Sequence, residues 1–223
     1  MLAIIQARMS SKRLPGKSLI QLGDYPMLGW VYRRVKSARH VGRVIVATSK
    51  DDLDNPIEEF CKSENIPCFR GGLEDVAKRF IDALHYYNAK ECIRVCGDSP
   101  LIDPKLIDFA VDIFKGGEFD LVTNFQKRTF PKGQSVEVIR TSALDLLWRR
   151  RLSLVDKEHV TSAFYTSDQI YRIKNFVSDP PVGDFQLSVD SKKDLDFVNN
   201  ILVECNYKPG DWREILMVAK NLL

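Results

Sequence analysis

The chain has 223 residues, of which 44% are hydrophobic and 28% are charged, and its formal net charge is +3. This size predicts one domain over residues 1–223 with a substantial core, while the small charge argues against a protein that neutralises many nucleic-acid phosphates. No apolar run approaches the roughly 20 residues that cross a bilayer. Neither a secretory signal pattern nor a Cys-x-x-Cys pair among the five cysteines is found, so we expect a cytoplasmic protein with reduced thiols.

Strand-like and helix-like segments alternate through the first half of the chain. The predicted strands lie at residues 2–6, 43–48, 66–70, 92–96 and 119–124. The predicted helices open at Pro26, run from Asp54 to about Glu64, from Asp75 to Tyr87, and from Pro104 to Phe114. Because helices connect these strands, we expect a mostly parallel sheet covered by helices on both faces. Ligands of such sheets bind beyond the carboxyl ends of the strands, which directs attention to the loops after residues 6, 96 and 189.

The pattern changes near residue 125. Residues 125–133 are basic and irregular, and strands of a different style are predicted at 136–141 and 169–177, with helices between them. We expect the stretch from approximately 125 to 178 to form a smaller subdomain or a dimer arm. The remaining predicted elements are a strand at 186–189 that returns to the sheet and helices at about 191–204 and 211–222.

Four cations occupy the loop that follows the first predicted strand. This loop, residues 6–17, reads QARMSSKRLPGK, and its cations are Arg8, Lys12, Arg13 and Lys17. Its serines and glycine allow tight turns whose N–H groups point at a ligand, and a triphosphate needs such donors together with cationic side chains. The spacing is neither that of a Walker A loop nor that of a dinucleotide fingerprint. A solvated basic loop is the alternative, but the position after the first strand favours phosphate binding.

Residues 4–17, IIQARMSSKRLPGK, resemble the signature loop of the sugar-acid cytidylyltransferases, which include the CMP-Kdo synthetases and the acylneuraminate cytidylyltransferases. The likeness is greatest to the spore coat polysaccharide biosynthesis protein F group. The resemblance implies a three-layer α/β/α sandwich of the nucleotide-diphospho-sugar transferase type, commonly a homodimer. It implies transfer of CMP from CTP to an acidic sugar with Mg²⁺ as cofactor. The loop residues implied to bind the nucleotide are Ala7, Arg8, Ser11, Arg13 and Lys17.

A glycine turn in the segment 70–80, RGGLEDVAKRF, joins a predicted strand to a helix. On physical grounds alone, a turn followed by an acidic first helical turn that suits the helix dipole accounts for this sequence. The cytidylyltransferases have a similar Gly-x-x-Glu-Asp-Val element beside the cytosine base. By that resemblance, Arg70 and the backbone of Gly71 and Gly72 read the edge of the base.

Two aspartates follow predicted strands at the edge where ligands bind. Asp98 lies in the segment 96–102, CGDSPLI, beside a glycine that permits close approach, while Asp103 is the better cap for the helix at Pro104. Asp190 follows the last predicted strand, where a helix cap is the alternative role. The Gly-Asp-x-Pro-Leu string matches the cytidylyltransferases, and the resemblance implies that Asp98 and Asp190 hold one Mg²⁺, a cation that prefers oxygen ligands.

Two further likenesses lie in the middle region. Residues 131–138, PKGQSVEV, resemble a Pro-x-Gly-x-x-Val-Glu-Val string of the same enzymes, which implies that Glu137 faces the acceptor pocket, although Ser135 stands where Asp is usual. His159 lies in a matching Glu-His-Val-Thr element and is implied to bind the acceptor, with a local structural role as the alternative. The three arginines at 149–151 are interpreted as a solvated helix end.

The implied reaction is in-line attack by an acceptor oxygen on the α-phosphorus of CTP, with release of pyrophosphate. Stabilisation of the developing negative charge is assigned to Arg8 and Lys17 and to Mg²⁺ held by Asp98 and Asp190, so these four are the catalytic residues that the resemblance implies. One alternative is a glycosyltransferase of the same fold, which would normally carry an Asp-x-Asp motif in the middle of the chain, and no suitably placed motif of this kind is found. A non-enzymatic binding module is a second alternative. A nucleotidyltransferase that uses an NTP other than CTP is the third. The expected partners are CTP and a small acidic acceptor, with neither nucleic acid nor membrane. Ser18 stands where the sialic-acid branch usually has Asn, which argues against a sialic acid.

Overall fold

The protein is built around a mostly parallel sheet. The computed structural model describes residues 1–150, 153–166 and 170–223. The strands are β1 Leu2–Gln6, β2 Gln21–Leu22, β3 Tyr25–Pro26, β4 Arg43–Ser49, β5 Cys68–Gly71, β6 Glu91–Cys96, β7 Leu121–Thr123, β8 Glu137–Arg140 and β9 Ile173–Asn175. The α-helices are α1 Met27–Lys36, α2 Asn55–Ser63, α3 Val76–Tyr86, α4 Pro104–Lys115, α5 Thr141–Arg149, α6 Leu154–Glu158, α7 Ser162–Thr166, α8 Lys192–Glu204 and α9 Trp212–Asn221. Short 3-10 turns occur at Lys17–Leu19 and Asp52–Asp54.

Seven of the described strands form one sheet in the order β5-β4-β1-β6-β8-β7-β9. Inside this sheet β1 pairs in parallel with β4 and β6, which places Ile4 beside Ile45 and Arg94. β8 is antiparallel to both β6 and β7. The apolar runs of β1 and β4 are buried, as expected for strands covered by helices on both faces. The prediction of a mostly parallel sheet is confirmed.

Helices cover both faces of the sheet. One face packs against α1 and α2 through side chains such as Val35 and Ile57. The opposite face packs against α3, α5 and α7 through Phe80, Leu144 and Phe164. Burial of each such side chain contributes about 1.5–3 kcal/mol, and the two apolar layers together make the three-layer α/β/α sandwich. None of the helices in the described ranges is both long and apolar enough to cross a membrane.

The segment at 186–189 was predicted as a sheet strand, and that prediction is wrong. The segment makes only an isolated bridge between Lys132 and Gln186. Its neighbour, residues 131–133, contains a proline, which has no N–H to donate, and a glycine with φ of 94°. Such a turn does not support a regular ladder. The apolar run is explained instead by burial of side chains such as Leu187 in the cluster around α8 and α9.

The middle region is less regular than its sequence pattern indicates. Of the strand predicted at 169–177, β9 is the part that pairs in the sheet, parallel to β7, and Gln169 lies outside the described residues. The strand predicted at 136–141 is the shorter β8, because its last residue already begins α5. Of the arginines at 149–151, the first ends α5, as a basic helix end should, and Arg151 lies outside the described residues.

Candidate active site

Three chain segments meet where β1 and β6 end. The Gly97 N–H donates to the Gln6 carbonyl oxygen over 2.8 Å, and the Val189 N–H donates to the Asp98 carbonyl oxygen over 2.9 Å. Only glycine fits at position 97 without a shift, because a Cβ there would lie 2.8 Å from the Gln6 oxygen. The three loops singled out from the sequence are therefore joined at one edge of the sheet, the edge where ligands of such folds bind.

The ammonium group of Lys17 lies between the two aspartates predicted to bind metal. Its Nζ is 3.0 Å from Asp98 Oδ2, 3.1 Å from Asp190 Oδ1 and 2.7 Å from the Val189 carbonyl oxygen. The Lys17 side chain is 13% exposed, against 30% and 29% for the two aspartates, so the ion pairs are shielded but open on one side. Arg13 supplies a second cation, 2.9 Å from Asp190 Oδ1. The structure thus brings four of the predicted site residues into one cluster.

A tight turn and a buried carboxylate hold Lys17 in place. Gly16 has φ of 73°, a conformation that favours glycine, and its N–H donates to the Met9 carbonyl oxygen over 3.0 Å. Asp54, which is 1% exposed, accepts from the Met9 N–H over 2.7 Å and from the Ser49 N–H of β4 over 3.1 Å, and so links the loop to the sheet. The sequence predicted Asp54 as the cap of α2, but its side chain makes no capping hydrogen bond there. Its carboxylate binds the loop after β1 instead.

An ion pair joins this loop to the middle region. Arg8 Nη2 lies 2.9 Å from Glu158 Oε1, and the two side chains are 42% and 48% exposed. The hydrogen bond from Arg8 lowers the pKa of the Glu158 carboxyl. His159, the next residue, is exposed as well. The pair therefore brings the residue predicted to bind the acceptor beside the loop predicted to bind the phosphates.

Three other loop residues make contacts inside the protein. The Ala7 N–H donates to the Ala47 carbonyl oxygen over 3.2 Å, and Ser11 Oγ accepts from the backbone N–H three residues later over 3.3 Å. The buried Ser18 hydroxyl donates to the Arg8 carbonyl oxygen over 2.9 Å. Contacts of Ala7 and Ser11 with a nucleotide stay predictions, while Ser18 supports the loop from within.

Arg70, predicted to read the base, is engaged by its own protein. Its Nε donates to the Ser49 carbonyl oxygen over 2.7 Å, and one terminal nitrogen donates to the Asp51 carbonyl oxygen over 2.9 Å. The other terminal nitrogen pairs with Glu58 over 2.8 Å. In this arrangement the guanidinium braces the end of β5 against α2, and direct recognition of a base by Arg70 stays a prediction.

A second arginine, which the sequence analysis did not single out, shapes the glycine turn. Arg79 is 1% exposed, and its Nε and one terminal nitrogen donate to the Gly72 carbonyl oxygen over 3.0 and 2.6 Å. The same terminal nitrogen donates to the Leu73 carbonyl oxygen over 3.1 Å. With these carbonyls turned inward, the turn keeps a fixed backbone shape. Gly71 allows this packing, because it leaves room for the Arg79 side chain.

We expect Gly71→Ala to lower the free energy of unfolding by about 1–3 kcal/mol, the usual cost of overpacking a filled interior. The new Cβ would lie 2.6 Å from Arg79 Cγ and 2.9 Å from Arg79 Cβ. Gly72→Ala is the matched control, because a Cβ there meets nothing within 4 Å. Urea denaturation of both variants measures the difference. Equal losses for the two glycines would contradict the role given to Arg79.

Glu137 lies in a buried ion pair beneath the same edge. It is 3% exposed, pairs with Arg94 directly opposite on β6, and accepts from the Tyr165 hydroxyl over 2.5 Å through its other oxygen. Burial, and then the charge of Glu137, raises the pKa of Tyr165, so this hydroxyl stays protonated. Direct contact of Glu137 with an acceptor stays a prediction; in the structure it orients Arg94 and Tyr165. A charged residue inside the apolar strand β6 was the sequence signal for Arg94.

The two aspartates of the cluster suit a divalent cation that arrives with phosphate. Asp190 is not a helix cap, since Ser191 caps α8 in a capping box with Asp194, and Asp103 caps α4 as predicted. No group of three or more His, Cys, Asp or Glu side chains that could hold a metal occurs within the described ranges. Mg²⁺ commonly binds one or two carboxylates and completes its shell with water and substrate phosphates. Asp98 and Asp190 fit that manner of binding.

Comparison with known proteins identifies a family for this chain. The family model described as Cytidylyltransferase matches residues 2–209. The spore coat polysaccharide biosynthesis protein SpsF of Bacillus subtilis is 29% identical over 218 residues, which cover 93% of this chain and 88% of that protein. A solved cytidylyltransferase from Leptospira borgpetersenii has a TM-score of 0.94 at 28% identity, covering 98% of this chain and 93% of that one.

A second solved structure extends the likeness in fold. The CMP:2-keto-3-deoxy-manno-octonic acid synthetase complexed with CTP has a TM-score of 0.70 at 18% identity and covers 91% of this chain and 98% of its own. The sequence resemblance noted in the first loop is therefore confirmed over nearly the whole chain. This chain belongs to the cytidylyltransferase family and is a nucleotidyltransferase.

Proposed function

We propose that this enzyme transfers CMP from CTP to a sugar acid or related acidic acceptor, with Mg²⁺, and releases pyrophosphate. The observation that carries the proposal is the placement of Lys17 between Asp98 and Asp190 at the end of β1, with Arg13 beside them. Membership in the family favours nucleotidyl transfer over the glycosyltransferase and binding-module alternatives. The names of similar proteins, one a CTP-bound sugar-acid synthetase and one a spore coat polysaccharide protein, support CTP, a sugar acid and a role in surface polysaccharide synthesis.

In this reaction the protein positions the two substrates and stabilises the developing charge, and it forms no covalent bond to either substrate. A bond forms between the acceptor oxygen and the α-phosphorus while the bond to pyrophosphate breaks, so negative charge grows on the phosphoryl and leaving oxygens. The cations of the first loop that would meet this charge are Arg8, Arg13 and Lys17. Mg²⁺, held by Asp98 and Asp190 together with the phosphates, would supply further positive charge.

The cytosine base belongs, in this proposal, against the glycine turn after β5. The turn lies at the same carboxyl edge of the sheet, and Arg79 gives it a fixed shape through the Gly72 and Leu73 carbonyls. A fixed backbone can present donors and acceptors to the edge of a pyrimidine without rearrangement. Gly71 and the turn backbone are therefore better placed to read the base than the Arg70 guanidinium, which is tied to Ser49.

We also propose that two copies of the chain form a homodimer through the middle region, approximately 125–178. Four large apolar side chains among the described residues of this region are about half exposed: Phe125 at 44%, Leu146 at 50%, Ile170 at 50% and Val177 at 51%. Apolar surface of this kind is a common mark of an interface when it is contiguous. Light scattering of the protein in solution gives its mass and so tests the dimer.

An enzyme that consumes CTP would act in the cytoplasm, where nucleoside triphosphates are available.

The decisive experiment measures pyrophosphate release from each of the four NTPs with Mg²⁺, using a panel of sugar acids that includes Kdo and N-acetylneuraminate. We expect release from CTP alone, and only when an acid is added. Release from a different NTP would keep the reaction but overturn the cytosine assignment. Should no acid give release, calorimetry with CTP and Mg²⁺ separates an acceptor outside the panel from a protein that does not bind CTP.

A further inference from the structure

Gln6 ends β1 in the middle of the candidate active site. Its carbonyl oxygen accepts from the Gly97 N–H over 2.8 Å, next to the Asp98 loop. Its side chain lies on the face of the sheet that carries Arg94 and Glu137. Gln6 therefore lies between the cluster proposed to bind phosphates and Glu137, which the sequence resemblance implies faces the acceptor pocket.

The orientation of the Gln6 amide is fixed by its neighbour. A terminal nitrogen of Arg94 lies 3.2 Å from Gln6 Oε1. Because a guanidinium only donates hydrogen bonds, the side-chain atom that faces it must be the amide oxygen. The amide nitrogen, with its two N–H donors, is consequently turned away from Arg94.

Arg94 in turn has little freedom to move. Its other terminal nitrogen pairs with Glu137, which is 3% exposed and accepts from the Tyr165 hydroxyl over 2.5 Å. Tyr165 also contacts Thr123 Oγ1 at 3.2 Å. Breaking one member of such a buried network leaves a charge without its partner, which is costly. The network thus holds the Gln6 amide in one orientation.

The Gln6 nitrogen has unused hydrogen-bonding capacity. In the ranges that the structure describes, no protein group accepts from Nε2, and Nε2 is not among the buried side-chain atoms that lack a partner. Gln6 as a whole is half-buried. A donor that is held in one orientation and is not bonded within the protein is suited to an oxygen of a bound molecule.

We propose that Gln6 binds the acceptor, with its amide N–H groups donating to a carboxylate or hydroxyl oxygen of the acid, and that Arg94, Glu137 and Tyr165 are its positioning residues. The inference deepens the proposed function and rests on it. The location favours the acceptor over the nucleotide because the Gln6 side chain turns toward Arg94 and Glu137, whereas the phosphate cluster is built around Lys17.

The test uses two substitutions that separate binding from support. Gln6→Glu keeps an oxygen for Arg94 to bind but removes the donors and adds a negative charge, whereas Gln6→Leu removes both donor and acceptor. Gln21→Leu is the control, since Gln21 is exposed and its side chain bonds only to the nearby Gly23 carbonyl oxygen among its described contacts. KM for the acid that gives the fastest release with the wild type, KM for CTP and kcat are measured for each variant.

We expect Gln6→Leu to raise KM for the acid about tenfold to a hundredfold, the usual effect of losing a hydrogen bond to a charged group. Gln6→Glu should raise it further, because a carboxylate repels an acidic acceptor, while KM for CTP stays within twofold of the wild type. A Gln6→Glu enzyme with a wild-type KM for the acid would show that Gln6 only supports Arg94. The inference about Gln6 would then be wrong, while the proposed function would stand. A wild-type enzyme that binds no CTP, or releases no pyrophosphate with any acid, would instead overturn the proposed function and this inference with it.

Discussion

Asp98→Asn is expected to reduce kcat by about a hundredfold to a thousandfold, the loss typical when one preorganised charge-stabilising group is removed. The substitution keeps the size of the side chain but replaces a charged oxygen with an amide. Asp98 is 30% exposed, and its Oδ2 accepts from the Lys17 ammonium while its Oδ1 accepts from the Ser99 hydroxyl. In Asp98→Asn the amide oxygen can still accept from Lys17, and the amide nitrogen can donate to the Ser99 hydroxyl oxygen. The fold should therefore survive, and the loss should appear in turnover.

The measurement is acceptor-dependent pyrophosphate release at saturating CTP, repeated over a range of Mg²⁺ concentrations. Asp196→Asn serves as the control, because this carboxylate pairs with Lys192 on the exposed surface of α8 and lies outside the cluster. We expect the control to behave as the wild type and Asp98→Asn to need more Mg²⁺ for its residual activity. An Asp98→Asn enzyme with more than a tenth of the wild-type kcat and an unchanged Mg²⁺ dependence would remove Asp98 from the proposed site.

The sequence correctly predicted the strands and helix starts that depend on residues close together in the chain. The buried apolar runs of β1 and β4 can be recognised as parallel strands from their own residues alone. Asp103 followed by proline is a local helix start, and it is found at α4. The position of the basic loop after β1 then follows from chain order, and the carboxyl ends of parallel strands share one edge of a sheet. The approach of the loop that carries Lys17 to the loop that carries Asp98 could therefore be expected from sequence alone.

Contacts between distant parts of the chain could not be predicted from the sequence. Asp54 was predicted as a cap because it precedes a helix, but the structure gives its carboxylate to the Met9 N–H, which lies 45 residues away. Glu137 was predicted to face a substrate, and its partner Arg94 becomes evident only once β8 is known to run antiparallel to β6. A side chain has one set of neighbours in the fold, and sequence spacing does not reveal them when the strands that carry them are not consecutive.

Lys17→Met is expected to change metal binding and catalysis in opposite directions. Lys17 Nζ lies 3.0 Å from Asp98 and 3.1 Å from Asp190, on the same oxygens that would bind a divalent cation. The ammonium group and the metal therefore compete for these carboxylates, and their like charges repel each other. Removal of the ammonium should tighten binding of Mn²⁺, used as a probe for Mg²⁺, by a few-fold to about tenfold, given the worth of partly exposed ion pairs.

Turnover should fall in the same variant by about a hundredfold to a thousandfold, because a cation proposed to neutralise the reacting phosphates is lost. Electron paramagnetic resonance measures free Mn²⁺ in the absence of nucleotide, and pyrophosphate release measures kcat. Lys12→Met is the matched control: it removes the same charge from an exposed position in the same loop and should leave Mn²⁺ affinity unchanged. Weaker Mn²⁺ binding in Lys17→Met would mean that the lysine assembles the two carboxylates rather than competing for them. Its role would then be to hold the site together before the metal and the phosphates arrive.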